Sequence, residues 1–395
     1  MAALIFWFAF LALAFSYLGY PISLALLTVF RRREERAERP LGGDLHVSVI
    51  LAVRNERHRV AGRLKNLLEQ DYPEDALEVV VASDGSTDGT DDLLRSIAAS
   101  EMRVTFVSSP GRGKAEAINS AVDRARGEIL VFADARQEYA PGAIRRMLTA
   151  FQDPKMGAAS GRLQVKTGVS SDGIGIAAYV KLEYWVRRTE AKSGSTIGVT
   201  GAIYAARRTA FPRLPVGTIL DDVYVPMHML LHGWRVGYVG SAVAYDLEST
   251  TFREEFWRKV RTLTGVYQLF GLLPGVLDPR RNPAFIRFVS HKLVRLAGPV
   301  LIILLFASNW ILSGLLYSVT LLGQSVFYGL GVVGLVWRRS RRLVPFRVPA
   351  AFLVLNAAAA VALVNAIRGE RDVWVDRSPA GRAVHGPSGS DLSAR

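Results

Sequence analysis

The sequence predicts an α/β protein: a mostly parallel sheet with helices on both faces, plus transmembrane helices at both ends of the chain. Three observations carry this. Between residues 45 and 151, short runs that are apolar throughout alternate with segments whose apolar residues recur at helical spacing. Polar clusters stand just after the apolar runs. Long uncharged stretches lie near both ends of the chain, with arginines beside them.

The first element is the uncharged run from Leu4 to Phe30, longer than the ~20 helical residues that cross a bilayer. A secretory signal peptide fits less well, because no basic residue precedes the apolar core and the core is too long. Arg31, Arg32, Arg33, Arg36 and Arg39 follow, which by the positive-inside bias places the next domain in the cytosol.

Val47 to Val53 then reads as a strand, and Val60, Leu64, Leu67 and Leu68 mark one face of a helix. Leu77 to Ala82 is a second strand, followed by a helix carrying Leu93, Leu94, Ile97 and Ala98. Arg103 to Val107 is a third strand, and Ile118, Ala121, Val122 and Ala125 stripe the next helix. Ile129 to Ala133 is a fourth strand, and Pro141 opens a helix with Ile144, Met147, Leu148 and Phe151. Strands apolar throughout, alternating with helices, indicate a parallel sheet covered on both faces.

Near the carboxyl end, Leu296 to Trp337 is uncharged and long enough for two spans, with a turn expected near Gly323. Arg338, Arg339, Arg341 and Arg342 mark a cytosolic loop, and Val348 to Ile367 is a further span. The expected organisation is a span over 1–30, a basic linker over 31–44, a cytosolic domain over 45–250, an amphipathic interfacial segment over 251–290, about three spans over 291–368 and a flexible tail over 369–395. In the interfacial segment, Phe252, Phe256, Val260 and Leu263 are expected to face lipid.

The formal net charge of +14 is partly topological. Nucleic-acid binding is disfavoured, because much of the Arg excess flanks spans rather than forming a basic, aromatic-rich face. The chain has no Cys, which removes disulfides and thiolate chemistry and suits a cytosolic domain. His228 and His232 stand four apart as zinc ligands could. No Glu adjoins His228 to complete the metalloprotease pattern, so packing is expected of them.

In an open parallel sheet, ligands bind beyond the carboxyl ends of the strands. The residues to weigh are therefore Asn55 and Glu56, Ser83 to Gly89, Gly111 to Lys114, and Asp134. VRNERH lacks the glycines of a dinucleotide fingerprint, and GRGKA lacks the spacing and hydroxyl of a P-loop. What remains is a group of carboxylates, Asp84, Asp88 and Asp134, beside the cation Lys114. Hard oxygen ligands of this kind suit Mg²⁺ or Mn²⁺ bridging a pyrophosphate. Asp88 stands where a helix begins and is expected to cap it.

Taken together, VSVILAVRNE, VVVASDGSTDGT, GRGKAEAINSAV and VFADARQEYAPGAI resemble, in this order and spacing, the family 2 inverting glycosyltransferases of GT-A fold. The likeness extends to membrane-embedded members such as the cellulose, hyaluronan and poly-N-acetylglucosamine synthases, and covers roughly residues 45–265. The resemblance implies a membrane glycosyltransferase that moves a sugar from a nucleotide-diphosphate sugar, UDP-linked by analogy, to a glycan or lipid-linked acceptor. It also implies residence in a bacterial-type plasma membrane and a part in building polysaccharide of the cell envelope, with processive polymerisation and single-sugar transfer both open. A degenerate, non-catalytic nucleotide-sugar binder is the reading from another class.

By the same resemblance, Asp84 meets the nucleotide, Lys114 the nucleotide-sugar, and Asp134 the Mg²⁺ or Mn²⁺ ion. LDDVYV makes Asp222 the general base and Asp221 its acidic neighbour, and Gly201 falls on the acceptor side. Two departures stand out. Arg136 replaces the second metal-motif acid; a guanidinium grips phosphate rather than metal. Asp134 sufficing with phosphate oxygens, a substitute acid, or a lesser part for metal each remain open. In FREEFWRKVRTLTG, Arg261 keeps the arginine of the acceptor motif of processive relatives, whereas its glutamine and tryptophan are replaced by Arg258 and Thr262. Arg258 and Arg261 are expected on the acceptor side.

Overall fold

The computed structural model describes residues 1–30, 45–165, 173–246 and 252–369. The arginine cluster at 31–39 and the tail from 370 onward lie outside the described residues.

Eight strands form one sheet: β1 (Val47–Val53), β2 (Leu77–Asp84), β3 (Val104–Ser109), β4 (Ile129–Ala133), β5 (Glu138–Tyr139), β6 (Met156–Val165), β7 (Ile203–Arg207) and β8 (Arg235–Asp246), in the order β3-β2-β1-β4-β7-β6-β8-β5. The half from β3 to β4 is parallel, as expected. Beyond β4 the sheet is mixed: β7 runs antiparallel to both β4 and β6, while β6 and β8 are parallel.

The uniformly apolar strands are explained by two cores. Ile50, Val80, Leu130 and Phe132 face one layer of helices, while Val49, Leu51, Val79, Val81 and Val131 face the other. With a side-chain period of two and both faces covered, the middle positions of β1, β2 and β4 are left to apolar residues, and polar ones stand near the ends.

The helices are α1 (Ala2–Ala14) and α2 (Tyr20–Phe30), α3 (Arg57–Leu68), α4 (Thr90–Ser100), α5 (Lys114–Val122), α6 (Ala143–Leu148), α7 (Gly173–Lys192), α8 (Asp221–Leu231), α9 (Phe252–Leu272), α10 (Phe285–Phe288), α11 (Val294–Leu296), α12 (Gly298–Ile311), α13 (Leu315–Val336) and α14 (Val344–Arg368). A Pro141–Gly142 turn precedes α6, so that helix begins two residues later than Pro141 suggests.

Ala2–Val29, Leu315–Val336 and Val344–Arg368 are long and apolar enough to cross a membrane. The bent pair Phe285–Leu296 and Gly298–Ile311, inclined at 63°, makes a fourth if counted as one span. The break expected near Gly323 is elsewhere. Gly323 lies inside α13, and the chain turns at Leu312–Gly314, where Gly314 takes φ +122. That backbone is open to glycine and strained for other residues. The spans pack on one another: Phe6 and Ala9 meet Leu301 and Leu305.

At Val260 and Leu263 the apolar stripe of α9 is covered by protein. Val260 is fully buried, Leu263 packs against the core, and the helix runs along α14. The same i, i+4 spacing serves a protein partner as well as a bilayer, so periodicity alone could not separate them. The side chain of Phe252 lies outside the described residues.

Candidate functional site

The carboxyl ends of β1, β2 and β4 and the loop after β3 converge on one rim. Asn55, just past β1, adopts φ +56, and its Oδ1 accepts the Thr87 amide at 2.8 Å. Asp88 caps α4, accepting the Thr90 amide at 3.0 Å and the Arg57 amide at 3.2 Å. It therefore acts as the cap its position suggests. Asp84, at the end of β2 and 5 % exposed, accepts the Gly113 amide at 3.1 Å. The two loops meet closely: a Cβ on Gly85, which has φ +63, would stand 3.2 Å from the Gly111 Cα.

That tie sets where α5 begins and so where Lys114 points. Its Nζ lies 3.0 Å from Asp134 Oδ1 and 3.8 Å from Asp221 Oδ2. Burial works against the Lys114 ammonium, but the carboxylates of Asp134, Asp221 and Asp222 outweigh it, so its pKa is raised. Asp134 shows the converse. Burial disfavours its charge, yet Lys114, Arg63 and Arg261 hold its carboxyl below the ordinary value.

Arg63 stands outside the set of residues expected here. It is 3 % exposed, donates from Nε to the Asp134 carbonyl at 3.0 Å and lies 4.4 Å over the Tyr139 ring. It follows Val60 by three residues and precedes Leu64 by one, within the buried stripe of α3. A charge on an apolar stripe is the signal that points to it.

Arg136 pairs with Asp246, whose Oδ2 it meets at 3.1 Å and which also accepts from Gln137 at 3.3 Å. Asp246 is buried, and its carboxylate is one partner of Arg136.

Asp221 and Asp222 occupy the first turn of α8. The Asp222 carbonyl accepts the Val199 amide at 2.9 Å, and a Cβ on Gly201 would lie 3.6 Å from the Asp222 Cβ. The pKa of Asp222 is raised, first by burial and then by the charge of Asp221. Arg187, Lys114 and Lys292 act in the opposite direction. Arg187 donates to Thr200 Oγ1 at 2.9 Å. Tyr204, on β7 opposite Phe132, is fully buried, and its hydroxyl has no hydrogen-bond partner among the described residues. Burial raises its pKa well above the ordinary value, and the charges of Asp221, Asp222 and Asp134 add to the effect.

α9 roofs the rim. A Cβ on Gly265 would meet Leu220 Cγ at 2.5 Å, so the helix crosses tightly over the residue before Asp221. One turn earlier, Arg261 bears on Asp134, while Arg258 pairs with Glu255. Thus Asp84, Lys114, Asp134, Gly201, Asp221, Asp222 and Arg261 gather at one place, whereas Arg136 and Arg258 are engaged beside it. His228 and His232 stack at 4.1 Å, with His232 Nδ1 2.8 Å from the His228 carbonyl, which is a packing arrangement.

Among the described residues no three His, Cys, Asp or Glu side chains form a metal-holding group. The donor set still fits a divalent ion of the Mg²⁺ type. Such an ion takes one or two carboxylates plus substrate phosphates, and Asp134 stands at the rim with its side chain 36 % exposed.

Comparison with known proteins bears on what this rim belongs to. Residues 48–214 match the model for Glycosyl transferase family 2. The chain is 25% identical over 230 residues to the poly-beta-1,6-N-acetyl-D-glucosamine synthase of Staphylococcus aureus, covering 56% of this chain and 55% of that one. It is also 25% identical over 268 residues to the beta-monoglucosyldiacylglycerol synthase of Synechocystis sp., covering 63% of this chain and 55% of that one. The chain thus spans about half the length of the curated relatives it matches. A mannosyltransferase from Pyrobaculum calidifontis, solved in complex with GDP-Man and Mn²⁺, superposes with a TM-score of 0.71 at 23% identity, covering 94% of this chain and 100% of that one. The domain match and the shared sheet architecture agree: residues 48–214 form a glycosyltransferase family 2 domain, homologous to polysaccharide and glycolipid synthases, within a chain of GT-A-like fold.

Proposed function

We propose that the protein transfers a sugar from a nucleotide-diphosphate donor, UDP-linked by its family resemblance, to an acceptor at the membrane, with inversion at the anomeric carbon. The observation that carries this reading is the placing of Lys114 between Asp134 and Asp221, with Asp222 next along the same helix turn. One face of this cluster presents cation and carboxylate to a diphosphate, and the other presents the half-buried Asp222 carboxylate to an acceptor. Asp84 and the glycine loop it holds take the nucleotide. Lys114 and Arg261 carry the negative charge that develops on the departing diphosphate. Asp134 is the protein ligand for Mg²⁺ or Mn²⁺, which when bound neutralises diphosphate charge; Arg63 fixes the main chain behind it. Asp222 takes the proton of the attacking hydroxyl, its raised pKa suiting it to that role. Gly201 leaves room beside Asp222, and Asp221 tunes it.

A single transfer rather than polymerisation is favoured by Thr262. It stands where processive relatives carry tryptophan, and its hydroxyl is bonded to the Arg258 carbonyl at 2.9 Å. The domain borders expected from the sequence, with a catalytic unit over 45–250 anchored by spans on either side, are proposed on the same footing. So is a cytosolic catalytic face, on the strength of the arginine-rich flanks. Of these arginines, Arg341 also closes the end of α13, since its guanidinium donates to the Gly334 and Leu335 carbonyls at 2.6 and 2.8 Å.

The reading is tested with purified full-length protein in lipid, supplied with a panel of nucleotide-sugars and divalent ions, with nucleotide release measured. Release from one or two donors, dependent on added membrane acceptor, is expected. Binding without release across the panel would instead identify a nucleotide-sugar-binding protein.

A further inference from the structure

The acceptor side of the cluster has a feature that sugar transfer to a neutral acceptor does not require. Arg187 and Lys292 come from different elements, α7 and the turn between α10 and α11, and both act on Asp222. Arg187 is held to Thr200 at 2.9 Å, next to the Gly201 that lies against Asp222. Of the nearby acids, Glu183 acts on Lys292, while its carboxylate is in contact with other residues. The Glu183 carboxylate meets His291 at 3.1 Å and Arg295, and that of Glu190 meets Tyr20 and His291 at 2.5 and 2.9 Å. Among the described residues, neither Arg187 nor Lys292 has a carboxylate within the 4.0 Å of an ion pair. Two half-buried cations beside a general base lower its basicity, which is a cost unless they also meet an anion.

Their position says where that anion comes from. Val186, the neighbour of Arg187, packs against Tyr20 and Leu24 of the amino-terminal span, and Lys292 lies within the bent Phe285–Ile311 helix pair. Trp185 and Trp257 stand 42% and 38% exposed on α7 and α9, a placement typical of residues at headgroup level. A ligand reaching Asp222 from this side would leave its apolar part in the bilayer.

From this geometry we infer that the acceptor is an anionic amphiphile: a lipid with a phosphate seated between Arg187 and Lys292 and a hydroxyl presented to Asp222. The inference rests on the glycosyl-transfer reading above and narrows its acceptor class. In the step itself the acceptor oxygen bonds to the anomeric carbon as the bond from that carbon to the diphosphate oxygen breaks. The bonding pair leaves with the nucleoside diphosphate, the hydroxyl proton passes to Asp222, and the lipid phosphate is unchanged. Arg187 forks its donors onto phosphate oxygens, and Lys292 adds a point charge.

The experiment uses the full-length protein in detergent micelles. It receives radiolabelled nucleotide-sugars and a total lipid extract of the cells that carry the protein, divided by anion exchange into neutral and anionic fractions. Organic-soluble label should arise from the anionic fraction and rebind the anion exchanger. Arg187→Gln and Lys292→Gln should each raise the apparent KM for that fraction about tenfold or more, as loss of a charge-assisted contact implies. Nucleotide affinity should be unchanged, which separates lost recognition from lost folding, and Arg187→Lys should recover part of the loss. Label in neutral lipid or in water-soluble glycan would overturn the inference, as would both Gln variants keeping the wild-type KM. No transfer by wild type from any donor to either fraction would overturn the glycosyl-transfer reading itself, and this inference with it.

Discussion

Lys114 Nζ lies 3.0 Å from Asp134 Oδ1, closing the rim between the end of β4 and the start of α5. Each group stabilises the charge of the other, so neither can be removed without leaving a poorly solvated ion behind.

The first prediction follows from that pairing. Asp134→Asn should remove the proposed metal ligand and leave Lys114 facing Asp221 at 3.8 Å. Turnover should fall by about 10² or more, as losses of positioned charge at reacting phosphates do, and the Mg²⁺ or Mn²⁺ needed for half-maximal rate should rise. A metal titration of variant and wild type checks both. Undiminished wild-type activity in excess chelator would show that Lys114 and Arg261 carry the diphosphate charge without an ion.

A second prediction concerns pH. The Asp222 carboxyl is pushed up by burial and by Asp221, and only its deprotonated form accepts a proton. The rate should therefore fall with decreasing pH through a midpoint above the ~3.9 of an unperturbed aspartate. Asp221→Asn removes the like charge, which favours the ionised form of Asp222 and lowers its pKa. The acid limb of kcat/KM should then move to lower pH. A limb that stayed in place or moved upward would remove Asp221 from that role.

The parallel half of the sheet was legible because its strands are apolar throughout and each is followed by a stripe of helical period. The half beyond β4 was not. β6 runs MGAASGRLQV and β8 runs RVGYVGSAVAYD, mixtures whose pairing is set by tertiary contacts rather than local pattern. The acids and Lys114 were readable from the placing of polar residues after strands. Tyr204 was not, since an aromatic residue in a strand looks like core, and it is core as well as neighbour to three acids. Arg136 invited a phosphate-binding reading because Asp246, its partner, lies far away in sequence.

The third prediction concerns Tyr204. Its hydroxyl is buried without a hydrogen-bond partner among the described residues, an arrangement that costs ~1–3 kcal/mol. Burial and the three nearby acids hold the phenol protonated, so it cannot serve as a base. Tyr204→Phe should keep the ring stack on Phe132, at 4.3 Å, and remove the unsatisfied atom. Thermal unfolding of the variant should shift upward by a few degrees. A downward shift would mean that the hydroxyl has a partner in the working enzyme, such as a bound water shared with Asp221 or Asp222.

The fourth prediction separates an enzyme from a nucleotide-sugar binder, and it rests on Asp222. An acid in the first turn of α8 needs no catalytic explanation, because the helix macrodipole favours it by ~0.3–1 kcal/mol. That account predicts a small loss of stability on Asp222→Asn and little else. The surroundings argue otherwise. A folded-state pKa above the unfolded value means that ionised Asp222 destabilises the fold as pH rises through that pKa. Asp222→Asn should therefore leave stability equal or greater at neutral pH, the gain growing as pH rises from the unfolded pKa to the folded one and staying constant above it. Nucleotide-sugar affinity should change little, since Asp84 and Lys114 are untouched. Turnover should fall by the ~10²–10⁴-fold that general-base assistance supplies. Stability by thermal scan, donor affinity by calorimetry and product formation in lipid give three independent readouts. A variant that is more stable, binds donor and does not turn over identifies the base. One that keeps more than about a tenth of wild-type turnover assigns Asp222 to the helix dipole instead.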